Sequence, residues 1–486
     1  MSDFEDVVDD LPYICDDKTN AQATTSPQPV SATISKPFEG TKAAFACILH
    51  MHQPLIPAGG DDLKTAKIIC NLQYMMEHQN TGDNHNASVF LKCYERMGDF
   101  IPDLVAAGHD PRIMLEYSGC LLYGLRQMGE HAALEKLKRL TKNYHQNVEW
   151  LGAPWGHAVA PSTPIQDYRY HVLAFQQHFK ALFGADAAKR LRGFSPSEMA
   201  LPNHPDVHFE FVKTLKECGY QWVIVQEHTV EAKADGSPLQ QKHIPHRLVA
   251  TNSSGESISI IAIIKTQGSD TKLVGQMQPY YEAKSSSLVT LAGKNIPPLV
   301  TQIADGENGG VMMNEFPPKY HLVMEEASHG EVKPMNVSDY LDHLIALGIT
   351  ENDLPVIQPI RQHRLWKQMG DSRGSEALQS AVENLRSEDS NFHMEGGSWT
   401  DNISWVRGYE NLLGPMEKLS LRFEEVVARS GVDKGEKKYR NALFHLLCTQ
   451  TSCFRYWGQG LWTDFGLEII RRGNAIIDHD FGQEKA

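Results

Sequence analysis

Seven short apolar runs, spaced along the middle of the chain, constrain its fold more than any other feature. They are AAFACIL (43–49), RIMLEYSG (112–119), VEWLG (148–152), LRGFSP (191–196), YQWVIVQ (220–226), ISIIAII (258–264) and LVTQIADG (299–306). Each is too short for a buried helix and too apolar for a strand with one wet face, so each reads as a strand covered on both sides. Amphipathic stretches separate them. DYRYHVLAFQQHFKALFG reads as a helix stopping at Gly184, and HPDVHFEFVKTLKECGY as one stopping at Gly219. Strands alternating with helices make a parallel sheet. Seven of them predict an α/β fold, a closed or nearly closed (β/α)7 barrel.

The rest of the chain is organised around that block. Residues 1–40 are rich in Ser, Thr, Pro and Gln and read as a disordered tail. The barrel is expected over 41–360. Beyond about residue 310 the strand signal fades, and VSDYLDHLIALG, SEALQSAVENLRSE, NLLGPMEKLSLRFEEVVARSG and KKYRNALFHLLCTQTSCFRYW read as helices. The first of these has Ser338 as its expected N-cap. Residues 361–486 are expected to form a helical region that packs on the barrel and contributes to its cleft.

Charge and cysteine usage narrow the function classes. With 46 basic and 60 acidic side chains the net charge is −14, which disfavours a nucleic-acid or anionic-membrane surface. The eight cysteines include no CxxC pair and mostly sit in apolar runs, as reduced buried thiols do. No run approaches the ~18 apolar residues of a membrane span, and the acidic start MSDFEDVVDD lacks an apolar signal core. A cytoplasmic protein is expected, with oligomeric state open.

Active sites of α/β barrels lie at the C-terminal ends of the strands. Those ends collect His50, His52 and Gln53; Glu116 and Tyr117; Glu149 leading to Trp155 and His157; Glu198; Glu227 and His228; Lys265; and Asp305 with Glu307. Carboxylates with imidazoles and aromatics suit a sugar, since aromatics stack on pyranose faces and carboxyls do acid/base and nucleophilic work. Glu198 and Asp305 are the best pair, each closing an apolar run in a Pro- or Gly-flanked turn. The HMH spacing leaves three readings of His50 and His52 open: a metal site completed by Asp305, hydrogen bonds to sugar, or ordinary packing.

The blocks LHMHQP, VEWLGAPWGH, GFSPSEMALP and ADGENGG, in this order, resemble glycoside hydrolase family 57. That family holds α-amylases, 4-α-glucanotransferases and α-glucan branching enzymes. The resemblance implies a (β/α)7 barrel and a retaining mechanism on α-glucan, with Glu198 as nucleophile and Asp305 as general acid/base. It implies substrate contacts from His52, Glu149 and His157, with no cofactor and no catalytic metal. The family's fifth block is matched by TQTSCFRYW (449–457), with Cys453 where Asp is expected and Phe454 where Trp is common. Trp457 there, and Trp399 and Trp405 in GGSWTDNISW, are candidate glucan contacts, as is Trp155. A metal-dependent carbohydrate deacetylase or hydrolase on a related barrel, a non-catalytic glucan-binding relative and a different linkage such as an α-galactoside stay as alternatives.

Overall fold

The computed structural model describes residues 11–12, 34–266, 274–307, 310–397, 410–456 and 460–482. All seven apolar runs are strands: β1 (Ala43–Met51), β2 (Ile113–Tyr117), β3 (Val148–Gly152), β4 (Gly193–Phe194), β5 (Trp222–Gln226), β6 (Ser257–Lys265) and β7 (Leu299–Asp305). They pair in parallel in the order β7-β1-β2-β3-β4-β5-β6, and Lys265 against Thr301 joins β6 back to β7. The result is a closed seven-stranded barrel. Closure removes both sheet edges, which is why strands this apolar are tolerated.

Alternation along each strand sorts side chains between two cores. On β1, Phe45, Cys47, Leu49 and Met51 face the surrounding helices, while Ala44, Ala46 and Ile48 fill the lumen with Met114, Leu151, Trp222, Ile224, Ile263 and Ile303. The helices that pack outside include α1 (Gly119–Gln127), α2 (Ile165–Phe183) and α3 (Pro205–Glu217). Gly184 and Gly219 follow the last two with φ of 90° and 87°, a conformation that lacks a steric penalty only for glycine.

The lumen is closed from below by α4 (Val337–Ala346), whose Val337, Tyr340, Leu341 and Leu344 belong to the inner core. Its N-cap is Asn336 and not the expected Ser338. Ser338 is the second residue of the helix and its hydroxyl is occupied elsewhere, as the site geometry shows. After α5 (Ser375–Glu388) come α6 (Glu410–Arg422), α7 (Lys437–Thr449) and α8 (Leu461–Phe481). Leu443, Leu447, Ile469 and Ile470 of the last two share the outer apolar cluster with β1 and α1, so this helical region and the barrel are buried against each other. Among the described residues, no helix is long and apolar enough to cross a membrane.

Candidate active site

The lumen-facing series on β1, Ala44–Ala46–Ile48, continues to His50. The same parity on β2 leads from Met114 to Glu116, and on β7 from Ile303 to Asp305. Register puts these three ends side by side: His50 pairs with Asp305 on one flank and with Glu116 on the other. One imidazole therefore stands between two carboxylates on the upper rim of the barrel. Its Nδ1 meets Glu116 Oε2 directly. Burial opposes a charge on His50, but Glu116, then Asp305 and Glu307, outweigh it and push the pKa up to about 10. His50 is an imidazolium at neutral pH.

His52 and His157 behave in the opposite way. Their rings stack at 4.0 Å, and His157 also stacks on His50 at 4.7 Å. Burial, and the positive charge on His50, hold both well below the usual histidine range, so both are neutral. His52 Nδ1 lies 2.7 Å from Ser118 Oγ and its Nε2 3.3 Å from Thr451 Oγ1. Ser118 is also the N-cap of α1, accepting from Leu121 N–H. His157 Nδ1 lies 2.8 Å from Ser452 Oγ and 3.8 Å from Glu198 Oε1, and its Nε2 has no hydrogen-bond partner among the described residues.

Glu198 sits on a tight turn with φ 59° and ψ 20°, followed by Met199 at φ 50°. Two consecutive non-glycine residues in the left-handed region cost roughly 1–3 kcal/mol each. Hydrogen bonds from Met199 N–H to Pro196 and from Ala200 N–H to Ser197 hold the turn. His157 is also left-handed, at φ 56°. Strain thus coincides with the two residues that face each other across 3.8 Å.

Glu307 completes the acidic side. Its Oε1 accepts from His52 N–H at 3.2 Å, and Oε2 has no partner among the described residues. Burial first, then the charge of Asp305, push its pKa up to about 8 despite His50 nearby. The following backbone is held by buried Arg96, which donates to the carbonyls of Gly306 (3.0 Å) and Met312 (2.5 Å) and stacks over Phe316 at 4.9 Å.

The structure brings Glu198, Asp305, His50, His52 and His157 to one rim and removes three other candidates from it. Glu149 lies near the start of β3, at the opposite end, where it accepts from Ser338 N–H at 3.1 Å and from Ser338 Oγ–H. It borders a basal cavity of about 630 Å³ with Arg112, Arg192 and Asp342. Being the second residue of a strand, Glu149 could never reach the C-terminal rim. Trp155 is fully buried, bonded through Nε1 to His178 and packed edge-on against Phe444; a Cβ on Gly119 would lie 2.1 Å from its ring. It is a core side chain. Gln53 is buried with its amide committed to Tyr94 Oη (3.0 Å) and Asn71 (2.8 Å). Trp399, Trp405 and Trp457 lie outside the described residues.

Ser118, Thr451 and Ser452 were not anticipated as partners of the histidines. For the last two a signal existed, since they lie inside the weak fifth block. Cys453 beside them is half-buried near Glu198, and desolvation followed by that carboxylate's charge pushes its thiol up to about 12. No group of three or more His, Cys, Asp or Glu among the described residues is arranged to hold a metal ion. His50 and His52 spend their Nδ1 atoms on Glu116 and Ser118.

Comparison with known proteins supports the same barrel. No curated protein sequence matches the chain. Among solved structures, it is similar to a family 57 branching enzyme from Pyrococcus horikoshii (13% identity, TM-score 0.55), covering 89% of this chain and 88% of that one. It is similar also to the 4-α-glucanotransferase from Thermococcus litoralis (15% identity, TM-score 0.54), covering 90% of this chain but 60% of that longer one. An α-amylase from Thermotoga maritima matches at 10% identity and TM-score 0.50, over 90% and 93% of the two chains. At such identities the likeness is one of fold. Residues 46–286, which hold the histidines, Glu198 and six of the seven barrel strands, match the model of glycosyl hydrolase family 57, and the chain belongs to that family.

Proposed function

We propose that the chain is a retaining glycoside hydrolase or transglycosylase acting on α-1,4-glucan. The observation that carries the proposal is the continuous line of contacts across the rim: Glu198 to His157 at 3.8 Å, His157 stacked on His50, and His50 in register with Asp305. Both carboxylates thereby stand at one imidazole-lined rim, where the Nε2 of neutral His157 is left to hydrogen-bond a sugar hydroxyl. The family 57 relatives of this fold named above act on α-glucans, which supports the substrate class.

In the proposed reaction, Glu198 attacks the anomeric carbon as Asp305 protonates the departing oxygen. Asp305 then takes a proton from water or from an incoming sugar hydroxyl, which displaces Glu198. A retaining geometry needs the two carboxyls about 5–5.5 Å apart. The fixed charge of His50 stabilises the ionised form of Asp305 left after proton donation. Glu307, protonated up to about pH 8, adds no second negative charge beside it.

Incubation with maltoheptaose and separation of the products tests the activity. Shorter sugars alone indicate hydrolysis, a ladder of longer ones glucanotransfer, and 1,6-linked products branching. Unchanged maltoheptaose, glycogen and starch at high enzyme concentration would contradict the proposal.

A further inference from the structure

Gln450 caps α7 and immediately precedes the two hydroxyls that meet the histidines. It is fully buried. Its Nε2 donates to Asp167 Oδ2 at 2.5 Å, and its Oε1 accepts from His171 Nε2 at 2.9 Å. The direction at His171 is set by the other ring nitrogen, which accepts the Gly156 N–H at 2.9 Å. A neutral imidazole with Nδ1 accepting carries its proton on Nε2. A flipped Gln450 amide would then oppose donor to donor at His171 and acceptor to acceptor at Asp167. The amide has one orientation.

Both ends of this clamp lead into the site. Gly156 precedes His157, and Gln450 precedes Thr451 and Ser452. The two segments form a β-bridge between Ala158 and Thr451, and Ser452 N–H donates to the His157 carbonyl at 3.0 Å. There is no slack at Gly156: a Cβ there would lie 2.6 Å from the Leu447 carbonyl and 2.7 Å from the His171 ring.

We infer that Gln450 is a positioning residue: clamped between Asp167 and His171, it sets Thr451 and Ser452 against His52 and His157, and so fixes the tautomer and tilt of the imidazoles that line the cleft. The inference rests on reading this rim as the catalytic cleft. Asp167, on α2, faces Ser420 of α6, Glu424 just beyond it, and Gln450. Its carboxyl is pushed up to about 6 by burial, an effect that Ser420 and Gln450 oppose and Glu424 adds to.

Two variants of the full chain test the clamp. Gln450→Leu keeps the shape and removes both hydrogen bonds. Gln450→Glu keeps an acceptor for His171 but presents a carboxyl to Asp167, which can replace the amide only while it holds a proton. On maltoheptaose, Gln450→Leu is expected to lower kcat about tenfold at every pH, with a smaller change in KM. The ratio of Gln450→Glu to wild-type kcat should rise as pH falls from 7.5 to 5, as the carboxyl pair comes to share a proton. Imidazole 15N spectra give a readout that needs no turnover: the His52 and His157 signals should leave their single tautomers in Gln450→Leu. A chain that turns over no α-glucan yet shows that spectral change would sink the catalytic reading and keep the clamp. Unchanged His52 and His157 signals in folded Gln450→Leu, or a Gln450→Glu profile parallel to wild type, would overturn the clamp.

Discussion

His50 and Asp305 are register partners on adjacent parallel strands, with Glu116 in register on the other side of the imidazole. A histidine between two carboxylates is charged when its neighbours are ionised, and this one stays so to about pH 10. His50→Gln removes that charge from beside Asp305. Its expected effect is a drop in kcat of about 10²-fold. The relief should also raise the pKa of His52, whose ionisation His50 opposes. A kcat within twofold of wild type would show that the charge does not act on the reaction.

Glu198 carries backbone strain that its side chain does not require. Replacing it with glycine removes the carboxylate and the left-handed penalty together. Glu198→Gly is expected to abolish activity while raising stability by about 1 kcal/mol, read as a higher Tm. Glu198→Gln should be equally inactive without the gain. A lower Tm for Glu198→Gly would mean that the side chain, and not the turn, holds this segment.

Glu307 links folding to pH. Its carboxyl has a folded pKa of about 8 against an ordinary 4.5. The sign is that of a raised acid: the stability associated with its proton is complete below pH 4.5 and is lost as pH rises through 8. Full ionisation costs about 5 kcal/mol by this difference. Glu149, raised to about 7 by burial, adds to the same decline. The wild-type Tm should therefore fall between about pH 4.5 and 8, and Glu307→Gln should flatten part of that fall. An unchanged slope in the variant would contradict the assignment.

The barrel was legible because each strand is short, apolar on both faces and bounded by turn residues; the signal is local. The strand-end rule put His50, Glu198 and Asp305 at the upper rim for the same reason, since position along a strand is readable from the run itself. It misread Glu149, because VEWLG was treated as one unit and the carboxylate stands at its start and not its end. Trp155 and Gln53 were misjudged because partners distant in sequence, Phe444 and Tyr94, decide whether a side chain is packed or presented. Thr451 and Ser452 reach the histidines across nearly 300 residues or more of chain, a distance over which periodicity carries no information.

Trp155 offers a control for the division between scaffold and site. Trp155→Ala should cost roughly 3–5 kcal/mol of stability, as large-to-small core changes do. At a temperature where the variant is folded, KM for maltoheptaose should stay within about twofold of wild type. A large rise in KM with little loss of Tm would return the indole to the substrate side.

In the proposed mechanism Glu198 forms the covalent glycosyl-enzyme. Incubating the chain with a 2-deoxy-2-fluoro-α-maltosyl fluoride slows breakdown of that intermediate, and peptide mass spectrometry after acid quenching locates the adduct. One added glycosyl unit is expected on the peptide containing Glu198 and none in Glu198→Gln. An adduct on another carboxylate, or inverted anomeric configuration in the first-formed product, would contradict it.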